Sequence, residues 1–236
     1  MSALVEVVCD TVGDAREAQA AGAGRIELGC APTLGGLTPT LGMVERVLAE
    51  VAIPVVVLVR AVPGGFAYPG DLVETMARDI ARIASLGVAG VVVGALDARG
   101  AVDVEACRRF LDAAEGVETV FHRAFDCVAD RDRALDTLIS LGFDRILTSG
   151  GAAAALEGAA EIARLRGRAH GRIDFLPAGG IRADSVGRVL AASGCRAVHA
   201  GPRRDSTVGK PGASAFPGDT CLDVDALKKL MKEAMA

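Results

Sequence analysis

The sequence predicts an α/β chain folded as a (β/α)8 TIM barrel, eight parallel strands with helices outside, in a single domain over residues 1–236. Three observations lead there. The length of 236 residues is long for an ordinary domain and normal for one barrel. Glycines at 22, 87, 142 and 194 recur at roughly even intervals, each between a helix end and a strand, which reads as four copies of a double βα unit. Helical stretches separate all the strands, the pattern of a parallel sheet.

The elements follow in order. Leu4–Cys9 is the first strand, and Gly22 leads into Gly24-Arg25-Ile26-Glu27-Leu28 as the second. Thr38-Pro39 starts the helix that ends before Val51. After the strand Val55–Arg60, Asp71 caps a helix in which Leu72, Met76, Ile80 and Ile83 share one face. Gly87 leads into the strand Gly90–Gly94, and Thr119–Arg123 is the fifth. Ala134, Leu135, Leu138 and Ile139 mark the next helix, and Gly142 leads into Arg145–Thr148. Ile173–Pro177 is the seventh strand, and Gly194 leads into Arg196–His199. A Gly/Pro-rich loop from Gly201 to Thr220 precedes a last helix, Asp223–Glu233. An open doubly wound sheet is the alternative, and it usually has fewer strands.

Composition sets the partners. Hydrophobic residues make up 51% of the chain and aromatics only 3%, with no Trp, so the core is aliphatic. A net charge of −4 with scattered basic residues argues against nucleic acid, which needs a basic stripe. No run of 18 uncharged apolar residues is present, which argues against a membrane span. Glu6 and Asp10 break the only early apolar run, so no signal peptide is expected and the compartment expected is the cytoplasm. The six cysteines lack C-x-x-C spacing and are expected as thiols. Helix-clad barrels often pair, so a homo-dimer or higher homo-oligomer is open.

Strand alternation assigns directions, because a charge against the helices would be costly. Glu6, Glu27, His122, Thr148 and His199 then point into the barrel, with Arg60 closing the third strand. All but Glu6 lie near strand C-termini, the face where barrels build sites. Arg123 and Asp126 follow just after. A second feature is anion binding. Thr148-Ser149-Gly150, Gly179-Gly180-Ile181-Arg182 and Gly201 place backbone N–H groups after strands six, seven and eight, the usual phosphate position. The plainer alternatives are a self-satisfied ion network and tight turns.

The strings Arg25-Ile26-Glu27-Leu28, Gly35-Gly36-Leu37-Thr38-Pro39, His122-Arg123-Ala124-Phe125-Asp126, Ile146 to Gly150, Ala155-Leu156-Glu157-Gly158 and Gly179 to Ala183 together resemble the CutC family, in order from about residue 4 to 204. The resemblance implies a barrel, a role in copper homeostasis and Cu(I) binding by cysteines. The sequence departs from that pattern. Gly29 stands where the family often has Cys, with Cys30 beside it, and Ala67 stands for another. Cys127 comes one place early after the HRAFD string, and Ala200-Gly201 replaces a serine pair. Cys30 and Cys127 are the candidate copper ligands, on loops of one barrel face but of strands that are not neighbours.

Two function classes remain open. One is a copper-homeostasis protein holding Cu(I). The other is an isomerase-, epimerase-, lyase- or hydrolase-like enzyme acting on a small phosphorylated or carboxylated metabolite. There Glu27 and His122 would be acid and base, and Arg60 and Arg123 would hold an oxyanion. Lysines at 210, 228, 229 and 232 lie late in the chain, and none is at a strand end, against a Schiff-base aldolase.

Overall fold

The computed structural model describes residues 3–205 and 220–235. Eight strands, β1 (Leu4–Cys9), β2 (Arg25–Leu28), β3 (Val55–Leu58), β4 (Gly90–Val93), β5 (Glu118–Phe121), β6 (Arg145–Thr148), β7 (Asp174–Pro177) and β8 (Ala197–Ala200), form one parallel sheet. β1 pairs with both β2 and β8, and the remaining strands follow in sequence order to β7. The ring closes between β7 and β8 through a parallel bridge of Ala178 with His199. The barrel and its direction match the sequence reading.

Helices fill the crossovers: α1 (Val12–Ala20), α2 (Leu41–Glu50), α3 (Gly70–Ala84), α4 (Val104–Ala113), α5 (Arg131–Leu141), α6 (Ala159–Ala169) and α7 (Val186–Ser193). A short antiparallel pair, β9 (Arg203–Asp205) and β10 (Thr220–Leu222), precedes α8 (Val224–Met235). The rest of the Gly/Pro-rich loop, residues 206–219, lies outside the described residues. The four repeat glycines have φ of +93°, +83°, +89° and +67°, the left-handed region that a side chain would oppose. No helix among the described residues is long and apolar enough to cross a membrane.

Several boundaries differ from expectation. α2 starts two residues after Pro39, because Thr40 is the cap that accepts from Met43 N–H. Asp71 sits inside the first turn of α3 rather than at its cap, which is Pro69. β3 ends at Leu58 and β5 at Phe121, so Arg60, His122 and Arg123 lie just past their strands. α8 begins after Asp223, whose carboxylate accepts from Ala226 N–H.

Alternation splits the core in two. Ile26, Leu28, Val57, Phe121 and Ile146 face the helices and pack on Met76, Ile80, Phe110 and Leu135. Each such buried side chain contributes about 1.5–3 kcal/mol. Val56, Leu58, Val92, Val120, Leu147 and Leu176 fill the barrel interior. This parity corrects one direction. Leu147 takes the inward place on β6, so Thr148 points outward with Ile146.

Candidate functional site

The lower half of the barrel interior is charged rather than aliphatic. Arg25 Nε donates to Glu6 Oε2 at 2.5 Å, and Arg25 Nη1 donates to Glu118 Oε2 at 2.7 Å. Glu118 pairs in turn with Arg145 at 3.1 Å, without hydrogen-bond alignment, and Arg145 lies 3.8 Å from Asp174. The upper end of this column is His199, whose Nδ1 lies 2.7 Å from Glu6 Oε1 and 3.8 Å from Glu27 Oε2. Arg25, Glu118 and Arg145 were not among the predicted site residues. Their signal was parity: Arg25 stands two before Glu27, and Glu118 four before His122.

Burial would raise the Glu6 pKa, but the hydrogen bond and charge of His199, then Arg25, together hold it below its ordinary value. Glu27 has no such bonds. Burial first, and Glu6 next to it, outweigh His199 and Arg25 and push its carboxyl up to about 7. Burial pulls His199 down, yet Glu27 and Glu6 raise it above the ordinary histidine value.

Above this column lies a pocket of about 260 Å³ at the C-terminal ends of the strands. Leu58, Val92, Leu147 and Phe66 make its apolar walls, and Asp10, Glu27, Cys30, Arg60, His122, Arg123 and His199 its polar lining. His122 is 5% exposed. Its Nδ1 accepts from Ala124 N–H at 3.2 Å, and its Nε2 has no partner. Gly94 makes room for the ring, since a Cβ there would lie 2.6 Å from His122 Nδ1. Burial, then the charge of Arg60, pushes the His122 pKa down to about 3.

Arg60 is less free than a clamp on substrate would be. Its Nη1 donates to the carbonyls of Leu34 and Gly36, and its Nη2 to that of Gly64. The guanidinium therefore ties the loops after β2 and β3 together beside Phe66, leaving only Nε unpartnered. Asp126 is likewise committed. It accepts from Thr148 Oγ1, from the N–H groups of Ser149 and Gly151, and from Arg123 Nε at 2.7 Å. It knots the loops after β5 and β6, and Thr148 and Ser149 serve that knot. Gly150 (φ +72°) also belongs to it, with its N–H on Thr148 Oγ1.

A wider cleft of about 1180 Å³ opens beside the pocket and shares Arg123 and His199 with it. Gly179, Gly180, Arg182 and Gly201, on the loops after β7 and β8, line it. Gly179 (φ +103°) and Gly180 (φ +66°) make no N–H hydrogen bond among the described residues. A Cβ on Gly179 would lie 3.3 Å from Arg123 Nη1, so that guanidinium lies over the turn.

The cysteines do not converge on a three-ligand centre among the described residues. Cys30 is half-buried, and its thiol donates to the Thr38 carbonyl. Cys127 is exposed and lies outside the pocket lining. Cys9 faces the helices in the core. The one group of three potential metal ligands among the described residues is Glu6, Glu27 and His199, within 4.8 Å of one another.

The CutC family model matches residues 3–203. A CutC family protein of Xanthomonas campestris pv. campestris is 43% identical over 199 residues, 84% of this chain and 83% of its own length. The mouse copper homeostasis protein cutC homolog is 44% identical over 206 residues, 86% of this chain and 75% of its own length. A solved structure assigned as a copper homeostasis protein CutC, from Streptococcus agalactiae, superposes with a TM-score of 0.79 at 30% identity, covering 84% of this chain and 97% of that one. Phosphoribosyl anthranilate isomerase from Thermotoga maritima shares the fold alone, at a TM-score of 0.63 and 17% identity, with 98% of each chain covered. With most of its length matched by the family model and by these relatives, the chain belongs to the CutC family.

Proposed function

We propose that this chain serves copper homeostasis, the role named for its mouse relative, and that its working site is the barrel mouth, where it binds a small polar molecule in the cytoplasm. One observation carries the choice of site. Glu27 Oε2, His122 Nε2 and Arg60 Nε are buried, have no protein partner, and belong to residues lining one pocket. Buried polar atoms are rarely left unpaired, because each costs about 1–3 kcal/mol. A ligand with a hydroxyl to donate to Glu27 and carbonyl or carboxylate oxygens to accept from His122 and Arg60 matches the three. Glu27, with its pKa raised towards neutrality, adds the means to move a proton.

Direct Cu(I) binding is the second reading, favoured by Cys30 at the pocket edge. The donor chemistry fits it less well. Cu(I) takes two or three convergent soft ligands. Cys30 is tied to Thr38, burial raises its pKa, and Cys127 is not beside it in the pocket lining. The Glu6, Glu27 and His199 group offers oxygen and nitrogen, which suit harder divalent ions, and Arg25 on Glu6 already supplies the positive charge.

The test pairs two titrations. Cu(I) is competed against a chelator on reduced protein and on the Cys30→Ala/Cys127→Ala variant. A panel of sugar phosphates and hydroxy acids is screened by thermal shift on native protein and on Glu27→Gln. The proposal expects Cu(I) binding equal in both proteins, and a ligand shift lost in Glu27→Gln. Tight stoichiometric Cu(I) binding lost in the cysteine variant would instead make the thiolates primary.

A further inference from the structure

We infer that the mouth pocket acts on a small α-hydroxy carbonyl compound, with His122 Nε2–H held to the carbonyl oxygen and Glu27 moving the proton on the neighbouring carbon. The inference rests on the reading of the mouth as a ligand site and adds its substrate class and reaction.

His122 defines the electrophile. The Ala124 N–H occupies Nδ1, so the ring proton sits on Nε2. Neither nitrogen is then free to act as a base. Phe66 at 4.8 Å between ring centroids and the bare Cα of Gly94 hold the ring in place. Its deep burial beside the fixed Arg60 keeps it neutral. What remains is one N–H donor, preset among apolar walls and lacking an acceptor. Such a donor is strongest on an oxygen that gains charge during reaction, as a carbonyl does on enolisation.

Glu27 is the proton carrier. The charged groups around it are Glu6 from β1, Arg25 from its own strand and His199 from β8. Glu6 is saturated by Arg25 and His199, and His199 is held by Glu6, so Glu27 Oε2 is the free position in the group. A carboxylate oxygen with no protein partner, on a residue lining the same pocket as His122, is placed to act as the base.

The step balances without a co-reactant. The Glu27 carboxylate takes the proton from the carbon bearing the hydroxyl. The C–H pair becomes the C=C bond of an enediolate, and the carbonyl pair moves onto the oxygen held by the His122 N–H. The same carboxyl returns the proton to the former carbonyl carbon while the hydroxyl proton passes between the two oxygens. The product is the isomeric hydroxy carbonyl.

The experiment follows exchange of carbon-bound hydrogen for deuterium by proton NMR in D2O, with dihydroxyacetone and its phosphate ester as probes. Native protein is expected to exchange the α-hydrogens faster than buffer. Glu27→Gln, purified identically, is expected to lower the rate on the order of 100-fold. His122→Leu should lower it on the order of 100-fold as well, with His122→Gln recovering part, because an amide still donates. In parallel, nitrogen-15 labelling of the three histidines should show His122 neutral and protonated on Nε2 from pH 5 to 8. No exchange with either probe, equal exchange in the Glu27 variant, or a His122 that titrates near 6.5 overturns the inference. A thermal shift by a probe that is lost in Glu27→Gln, without exchange, overturns it while leaving the ligand site standing. Absence of both exchange and any Glu27-dependent ligand shift overturns the ligand site too.

Discussion

Replacing Arg25 with Met should be among the most destabilising single changes in the barrel. Arg25 spans two carboxylates, with Nε on Glu6 and Nη1 on Glu118. Bonds to charged groups contribute about 1.5–3 kcal/mol each. The two losses are not equal. Glu118 is 25% exposed on its side chain and keeps Arg145, so water and a second cation cover part of its loss. Glu6 is 1% exposed and keeps only His199. Stranding one member of a buried pair costs about 3–5 kcal/mol, and most of that should fall on Glu6. Met fills much of the arginine stem's volume, so little of the loss is a cavity effect. The assay is urea unfolding at pH 7 of native protein, Arg25→Met, Glu6→Gln and the double variant. The double variant should be more stable than the sum of the single losses predicts, by at least about 1 kcal/mol, since Gln carries no charge to strand. A loss below about 1 kcal/mol in Arg25→Met, or strict additivity, would refute the view of the column as a coupled buried network.

Other consequences follow from the same geometry. Glu27 is raised from 4.5 to about 7, so its contribution falls as pH rises through that window, by about 3 kcal/mol in total. Glu27→Gln should therefore stabilise the fold at pH 8.5 and do so less at pH 5, read from urea midpoints; a stability gain independent of pH would contradict the assignment. His122 is lowered from 6.5 to about 3, so stability is complete above 6.5 and is lost as pH falls, by about 3 kcal/mol at pH 4. His122→Gln should flatten that acid limb, and an unchanged limb in the variant would place the acid sensitivity elsewhere. Gly158→Ala puts a Cβ 1.8 Å from the Ser149 carbonyl oxygen, so the β6 loop must shift at a loss of about 1–3 kcal/mol or more. Thermal unfolding within a degree or two of native protein would show that the two segments part easily.

The barrel was legible because its signals repeat. Each double unit ends one helix on a glycine that the backbone forces to positive φ, and those four positions stood out without any contact being known. Glu27, His122 and His199 were readable because each follows an apolar residue whose direction is not in doubt. Thr148 was not, because both Ile146 and Leu147 are apolar and either parity satisfies the helix layer. The fate of Arg60 and Asp126 was hidden for another reason. Both are spent on carbonyl and N–H groups of loops, whose paths alternation does not describe. Arg25, Glu118 and Arg145 carry the right parity, but they open β2, β5 and β6, the end of the barrel opposite to where sites are built.

The single bridge between β7 and β8 gives the barrel a seam. Every other neighbouring pair of strands is joined by a register of two to four residue pairs, whereas among the described residues this one has the single bridge of Ala178 with His199. His199 therefore sits at the most sparsely paired joint of the ring, and its imidazole also bonds Glu6. The backbone of His199 thus faces β7 while its imidazole is tied to Glu6 on β1, so one residue joins the seam to the buried charged column. The seam also borders the open cleft, whose lining includes Ala178, His199 and Gly201.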